Sequence, residues 1–173
     1  MDKNNNNSKP TRRDFIYTLT ASLGVLGAGA SVWPIVSQMN PDSSVKAMST
    51  VEVDISKVDK GKEITVMWRG KPVFIKRRTE DEITKARNIS IGELPHPETD
   101  KKRVIKDEWL VVVGICTHLG CVPINGKGEY GGWFCPCHGS HYDTSGRIRK
   151  GPAPTNLEVP KYKFVGNDKI IIG

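Results

Sequence analysis

The sequence predicts a mainly β protein: a single transmembrane helix at the N-terminus, then an all-β head. Three observations carry that expectation. No charged residue occurs from Phe15 to Pro41, a run long enough for the ~20 apolar residues that cross a bilayer. From Val51 onward, short β-rich runs follow one another between turn residues, and Val51–Ile55 alternates with period two. All four cysteines fall between Cys116 and Cys137, which points to one local site rather than a disulfide-dense framework. A length of 173 residues allows one globular domain with an appendage. The net charge of +7 comes from 26 Lys+Arg against 19 Asp+Glu. It is spread along the chain and reads as a solvated basic surface, with no nucleic-acid partner.

In order, residues 1–14 form a polar tail, 15–39 the membrane anchor, 40–50 a flexible hinge and 51–173 the head. Trp33 and Pro34 suit an interfacial anchor and a kink or exit near the far end of the span. Lys3, Lys9, Arg12 and Arg13 precede the span and only Lys46 closely follows it. By the positive-inside rule the N-terminus stays cytoplasmic and the head lies outside. Ala28-Gly29-Ala30 fits a small-residue cleavage pattern, but the uncharged run continues past Trp33, so the expectation is an uncleaved anchor. In the head, strands are expected at Val51–Ile55, Glu63–Trp68, Pro72–Lys76 and Trp109–Ile115, with a closing hairpin of Lys161–Val165 and Lys169–Ile172. A short helix fits Thr79–Ala86, and Leu94–Asp107 reads as a loop insertion.

The chemistry sits in Cys116-Thr117-His118-Leu119-Gly120-Cys121 and Cys135-Pro136-Cys137-His138-Gly139-Ser140-His141. Four soft or borderline ligands from two loops could bind zinc tetrahedrally. They could equally hold a Rieske-type 2Fe–2S centre, in which two histidines replace two cysteines on one iron. Zinc sites mostly use Cys-x-x-Cys or His-x3–5-His knuckles. Here each loop gives one Cys and one His, which favours the iron–sulfur centre.

These loops resemble those of the Rieske iron–sulfur subunit of quinol–cytochrome c reductase. The similarity extends through Tyr142 and the proline loop Gly146-Arg147-Ile148-Arg149-Lys150-Gly151-Pro152-Ala153-Pro154, and back to the anchor and linker. It implies antiparallel sheets with a small subdomain at residues 115–154 binding one 2Fe–2S cluster. Cys116 and Cys135 would ligate the inner iron, and His118 and His138 the outer one. Cys121 and Cys137 would form a disulfide that clips the loops together, as an oxidising compartment permits. Ser140 and Tyr142 match positions that donate hydroxyl hydrogen bonds to sulfur, raising the potential, and Leu119 would shield the tip. The implied activity is that of an oxidoreductase subunit in the respiratory chain. It takes an electron from ubiquinol at a cytochrome b subunit and delivers it to a membrane-anchored cytochrome c subunit, within a dimeric complex of the bacterial inner membrane. His138 would hydrogen-bond the quinol and accept its proton. A plastoquinol-oxidising or arsenite-oxidase counterpart would share the cluster but change the partner.

Thr11-Arg12-Arg13-Asp14-Phe15 resembles a twin-arginine export signal. A head loaded with its cluster in the cytoplasm must cross the membrane folded, which that route allows. Replacing Arg12 and Arg13 by Lys keeps the charge but breaks the pair. Fractionation should then find the head retained on the cytoplasmic side; undiminished export would remove the assignment.

Overall fold

The computed structural model describes residues 10–40 and 49–173. The chain divides into two compact units, one holding the N-terminal helix and one the head. Most of the expected hinge, residues 41–48, lies outside the described residues. Helix α1 runs Arg12–Ser37, so it takes in the arginine pair and passes through Pro34 rather than ending there. Its start is set by a capping box: Thr11 accepts from Asp14 N–H, and the Asp14 carboxylate accepts from Thr11 N–H at 2.9 Å. None of its residues is buried. The hydroxyls of Thr18, Thr20, Ser22 and Ser31 donate back to carbonyls four residues earlier, so these polar groups are satisfied without water, as a bilayer requires.

The head holds ten strands in three antiparallel sheets. β1 (Val51–Asp54), β10 (Lys169–Ile172) and β9 (Tyr162–Val165) form the first, with β10 in the middle. β2 (Glu63–Trp68), β3 (Lys71–Arg77) and β4 (Trp109–Val113) form the second. β5 (Ile124–Asn125), β6 (Gly131–Cys135), β7 (Ser140–Asp143) and β8 (Ile148–Lys150) form the third. The first two sheets enclose a core of Ile55, Val73, Ile75, Val111, Ile170 and Ile172. A second core gathers Phe74, Leu110, Val112, Trp133, Tyr142 and Leu157 against Cys116 and Cys135. β4 is buried along its whole length, and its side chains alternate between the two cores. It therefore joins them and delivers Cys116 from the shared wall.

Four expectations need correction. Within the expected cluster-binding subdomain the individual strands of the third sheet were not foreseen, because each is only two to five residues long. β4 stops at Val113 rather than Ile115, where its pairing with β3 ends, and Gly114 packs against the Phe74 ring, which leaves no room for a side chain. The insertion is not plain loop, since Asp100–Arg103 forms a helical turn after α2 (Glu80–Arg87). The basic surplus is not all solvated either. Lys76, Arg78, Arg103 and Arg147 are all buried.

Those buried cations fasten the insertion to the third sheet. Arg78 pairs with Asp100 at 2.6 Å, and Ser145 and Arg87 also donate to that carboxylate. Arg103 donates to the Ser145 and Leu157 carbonyls at 2.7 and 2.6 Å. Arg147 pairs with Asp143 and donates to the Ala86 carbonyl. Trp133 Nε1 donates to Glu63 at 3.0 Å, tying β6 to β2. Burial pushes the Glu63 carboxyl up to about 7, against the Lys76 charge and that hydrogen bond.

Burial alone would raise Asp100, yet hydrogen bonds from Arg78 and Ser145 and the charges of Arg78 and Arg87 hold it below the usual carboxylate range. Its contribution is present at neutral pH and is lost as pH falls through its depressed folded value. Asp100→Asn would leave the fully buried Arg78 without a counter-charge, a change that costs about 3–5 kcal/mol. A denaturant titration at neutral pH should show that loss. A fall below about 1 kcal/mol would mean that water reaches the guanidinium.

Candidate metal centre

The two cysteine–histidine segments fold as the same turn used twice. Gly120 N–H donates to the Cys116 carbonyl and Gly139 N–H to the Cys135 carbonyl, both at 3.0 Å. Each glycine closes its turn in the left-handed region, at φ 82° and 76°, which costs a side-chain-bearing residue about 1–2 kcal/mol. Cys116 enters its turn from β4, and Cys135 enters from β6. A disulfide, Cys121–Cys137, spans the two turns with its Cα atoms 6.8 Å apart.

This arrangement sorts the donors into layers. Cys116 and Cys135 are buried free thiols in the second core. The His118 and His138 rings meet edge-on, with centroids 4.6 Å apart. His138 is exposed, and beside His118 stands Leu119, 71% exposed on the rim. The pole is thus sulfur inside, imidazole outside.

The thiol pair sits among hydrogen-bond donors. Tyr142 OH donates to Cys116 Sγ at 3.2 Å and accepts from Thr117 N–H at 3.3 Å. Burial alone would raise the Cys116 thiol. Hydrogen bonds from Tyr142, the His118 backbone and Ser140 outweigh it and hold Cys116 below the ordinary thiol value. Burial pushes Cys135 up, and the neighbouring Cys116 sulfur adds to the rise. Burial and the bond to Cys116 also push the Tyr142 phenol up, so it stays a donor.

The proline loop packs against the second turn. At Gly151, φ 103°, a side chain would sit 2.5 Å from the Gly139 carbonyl oxygen, so the position admits none. Ala153 N–H donates to Ser140 Oγ at 3.2 Å, and Thr117 Oγ1 donates to the Thr155 carbonyl at 2.7 Å. Asn156 accepts from Ile148 N–H at 3.0 Å and donates to the His96 carbonyl at 3.2 Å. The sequence reading gives Thr117 and Asn156 no role at the site. Thr117 could have been flagged, because it lies between two candidate ligands. Nothing local marks Asn156. His141, left aside, accepts from Glu129 N–H at 3.2 Å and packs on Phe134.

The residues fit a 2Fe–2S cluster. His118 Nδ1 is buried with no hydrogen-bond partner, a costly state for an imidazole nitrogen unless it binds something. Two thiols and two imidazoles on adjoining turns form the mixed donor set of that cluster type. The Sγ atoms of Cys121, Cys135 and Cys137 also lie within 4.8 Å of one another, but the first and last are spent on each other.

A helix apolar enough to cross a membrane and a β head with this donor set define a membrane-anchored iron–sulfur protein. Residues 48–163 match the Rieske [2Fe-2S] domain family, and the chain belongs to it. Residues 2–42 match the family described as "Ubiquitinol-cytochrome C reductase Fe-S subunit TAT signal". The ubiquinol-cytochrome c reductase iron-sulfur subunit of Rickettsia prowazekii (strain Madrid E) is 54% identical over 173 residues, covering 99% of this chain and 98% of that one. The subunit of the same name from Rhodobacter capsulatus is 52% identical, covering 94% and 95%. A solved structure titled "Hyperthermophilic respiratory Complex III" aligns with TM-score 0.55 at 28% identity, covering 89% of this chain and 98% of that one.

Proposed function

We propose that this chain is the Rieske iron–sulfur subunit of ubiquinol–cytochrome c reductase. It accepts an electron from ubiquinol at the cytochrome b subunit and delivers it to a membrane-anchored cytochrome c subunit. One observation carries the reading: a buried thiol pair backs an imidazole pair, half-buried His118 against exposed His138, at a single pole, on a chain sharing 54% identity with a subunit of that name. The bound cluster supplies a one-electron acceptor. Cys116 and Cys135 would hold one iron, and His118 and His138 the other. The buried, unpartnered Nδ1 is the His118 atom that faces inward. His138, on the exposed rim, hydrogen-bonds the quinol hydroxyl and takes its proton on the ring nitrogen turned to solvent. Leu119, exposed beside His118, would shield the tip.

The surroundings serve the same end. Tyr142 and Ser140 direct hydroxyls toward ligand sulfur, favouring the more negative reduced state. The cytoplasmic tail, inner-membrane anchor and periplasmic head follow from Lys3, Lys9, Arg12 and Arg13 preceding the span.

Electron paramagnetic resonance of reduced membranes, with and without a quinol-site inhibitor, tests the reading. A Rieske-type signal should appear and shift when the inhibitor binds. A signal indifferent to the inhibitor would remove the quinol contact.

Tyr142→Phe deletes one hydroxyl donor at unchanged ring packing. A hydrogen bond worth about 0.5–1.5 kcal/mol corresponds to about 20–60 mV for a one-electron couple. A redox titration should find the midpoint potential lower by that amount at normal iron content. An unchanged potential would mean that the hydroxyl does not act on a ligand sulfur.

A further inference from the structure

The mechanism gives Cys135 one task and the Cys121–Cys137 disulfide another, yet their three sulfurs are neighbours, all within 4.8 Å of one another. Two are bonded and the third is a buried free thiol. Cys116, the other free thiol, is not in this group. A thiol beside a disulfide is the arrangement from which thiol–disulfide exchange proceeds. We propose that Cys121, Cys135 and Cys137 form an exchange site, at which a chain lacking its cluster moves the bond from Cys121–Cys137 to Cys121–Cys135.

Exposure and chain geometry set the direction. Attack on Cys121 Sγ expels Cys137, which is exposed, so the departing sulfur is released into water. Attack on Cys137 would expel the half-buried Cys121 and close a ring across Pro136 alone, whose φ is locked. The first path is therefore taken. The Cys135 thiolate forms a bond to Cys121 Sγ as the Cys121–Cys137 bond breaks. Cys137 leaves as a thiolate and takes up the proton that Cys135 gave away. One disulfide is consumed and one is formed, so no oxidant or reductant is needed.

The protective half of the proposal rests on the ligand assignment above. Iron held by Cys135 occupies the attacking sulfur, so a loaded chain keeps its disulfide in place. A chain oxidised before loading, or stripped afterwards, spends Cys135 on Cys121 and loses a ligand. Loading must then precede disulfide closure. That order suits a chain whose N-terminus matches a signal for export in the folded state.

The test uses the purified full-length chain in detergent, either loaded or stripped of iron with a chelator. Both samples are quenched in acid, blocked with N-ethylmaleimide under denaturing conditions and mapped by mass spectrometry. Fragmentation at the Cys135–Pro136 bond tells the two bridges apart. In the stripped chain, the bridge should be Cys121–Cys135, with label on Cys116 and Cys137. In the loaded chain, it should be Cys121–Cys137, with label on Cys116 and Cys135. Added iron and sulfide should refill the stripped chain only after a thiol reductant. A stripped chain that keeps Cys121–Cys137 overturns the proposal. So does a bridge shared between Cys116 and Cys135, which would join the two neighbouring thiols and leave Cys121 unpaired with Cys135. The same rearrangement in the loaded chain overturns the protective role. Cys135→Ser should keep Cys121–Cys137 when iron-free. Undiminished iron in that variant would instead overturn the ligand assignment, leaving the exchange to be judged from the disulfide map.

Discussion

The Cys121–Cys137 disulfide is the constraint on which the head's working end depends. The two turns it joins arise from different strands, β4 and β6, and the second turn leads into β7. Each turn is closed by a backbone bond from a left-handed glycine, and the first also by Cys116 N–H to the Cys121 carbonyl, which fixes its shape but not its partner. The covalent bridge ties one turn to the other at the rim, where the His118 and His138 rings also meet. Beneath it, Tyr142 reaches Cys116 from β7, so the bridge and the phenol secure the pair from opposite sides. A cross-link of this kind acts chiefly on the unfolded chain, by removing loop-closure entropy. Its placement at an exposed pole offsets the small buried area available there.

The rest of the head supplies rigidity. Asp100 and Arg103 of the insertion bind Ser145 in the turn between β7 and β8, the buried Arg147–Asp143 pair closes that turn, and Arg78 pairs with Asp100 from the end of β3. Buried pairs seldom add much net stability, but they tolerate only one arrangement of partners. Here that arrangement sets where the proline loop lies. Arg103 grips the Leu157 carbonyl, and Asn156 is held from His96. The insertion is thus a buttress behind the second turn, which gives a physical role to the stretch least informative in sequence.

Layering of donor types follows from the same geometry. The thiols face the second core, where apolar neighbours exclude water and hydroxyl donors temper the charge. Of the two imidazoles, His138 is exposed and His118 half-buried with its Nδ1 turned inside.

Sequence alone determined the anchor, the strands of the first two sheets, and the residues at the working pole. Each is a local property. An uncharged run shows itself without a partner, alternation marks a half-buried strand, and Cys-x-His beside Cys-x-x-His gives the donor set. The tertiary structure decided what depends on residues far apart. It buried Lys76, Arg78 and Arg103, whose charges suggested solvent, because Glu82, Asp100 and Glu98 meet them. It made β6 and β7 strands by pairing them across a tight turn, where their short length had hidden their periodicity. It also set the Cys135 sulfur beside a disulfide, because two turns separated in sequence were folded to one point. Spacing can name four ligands, but only packing brings a third sulfur within reach of the bond.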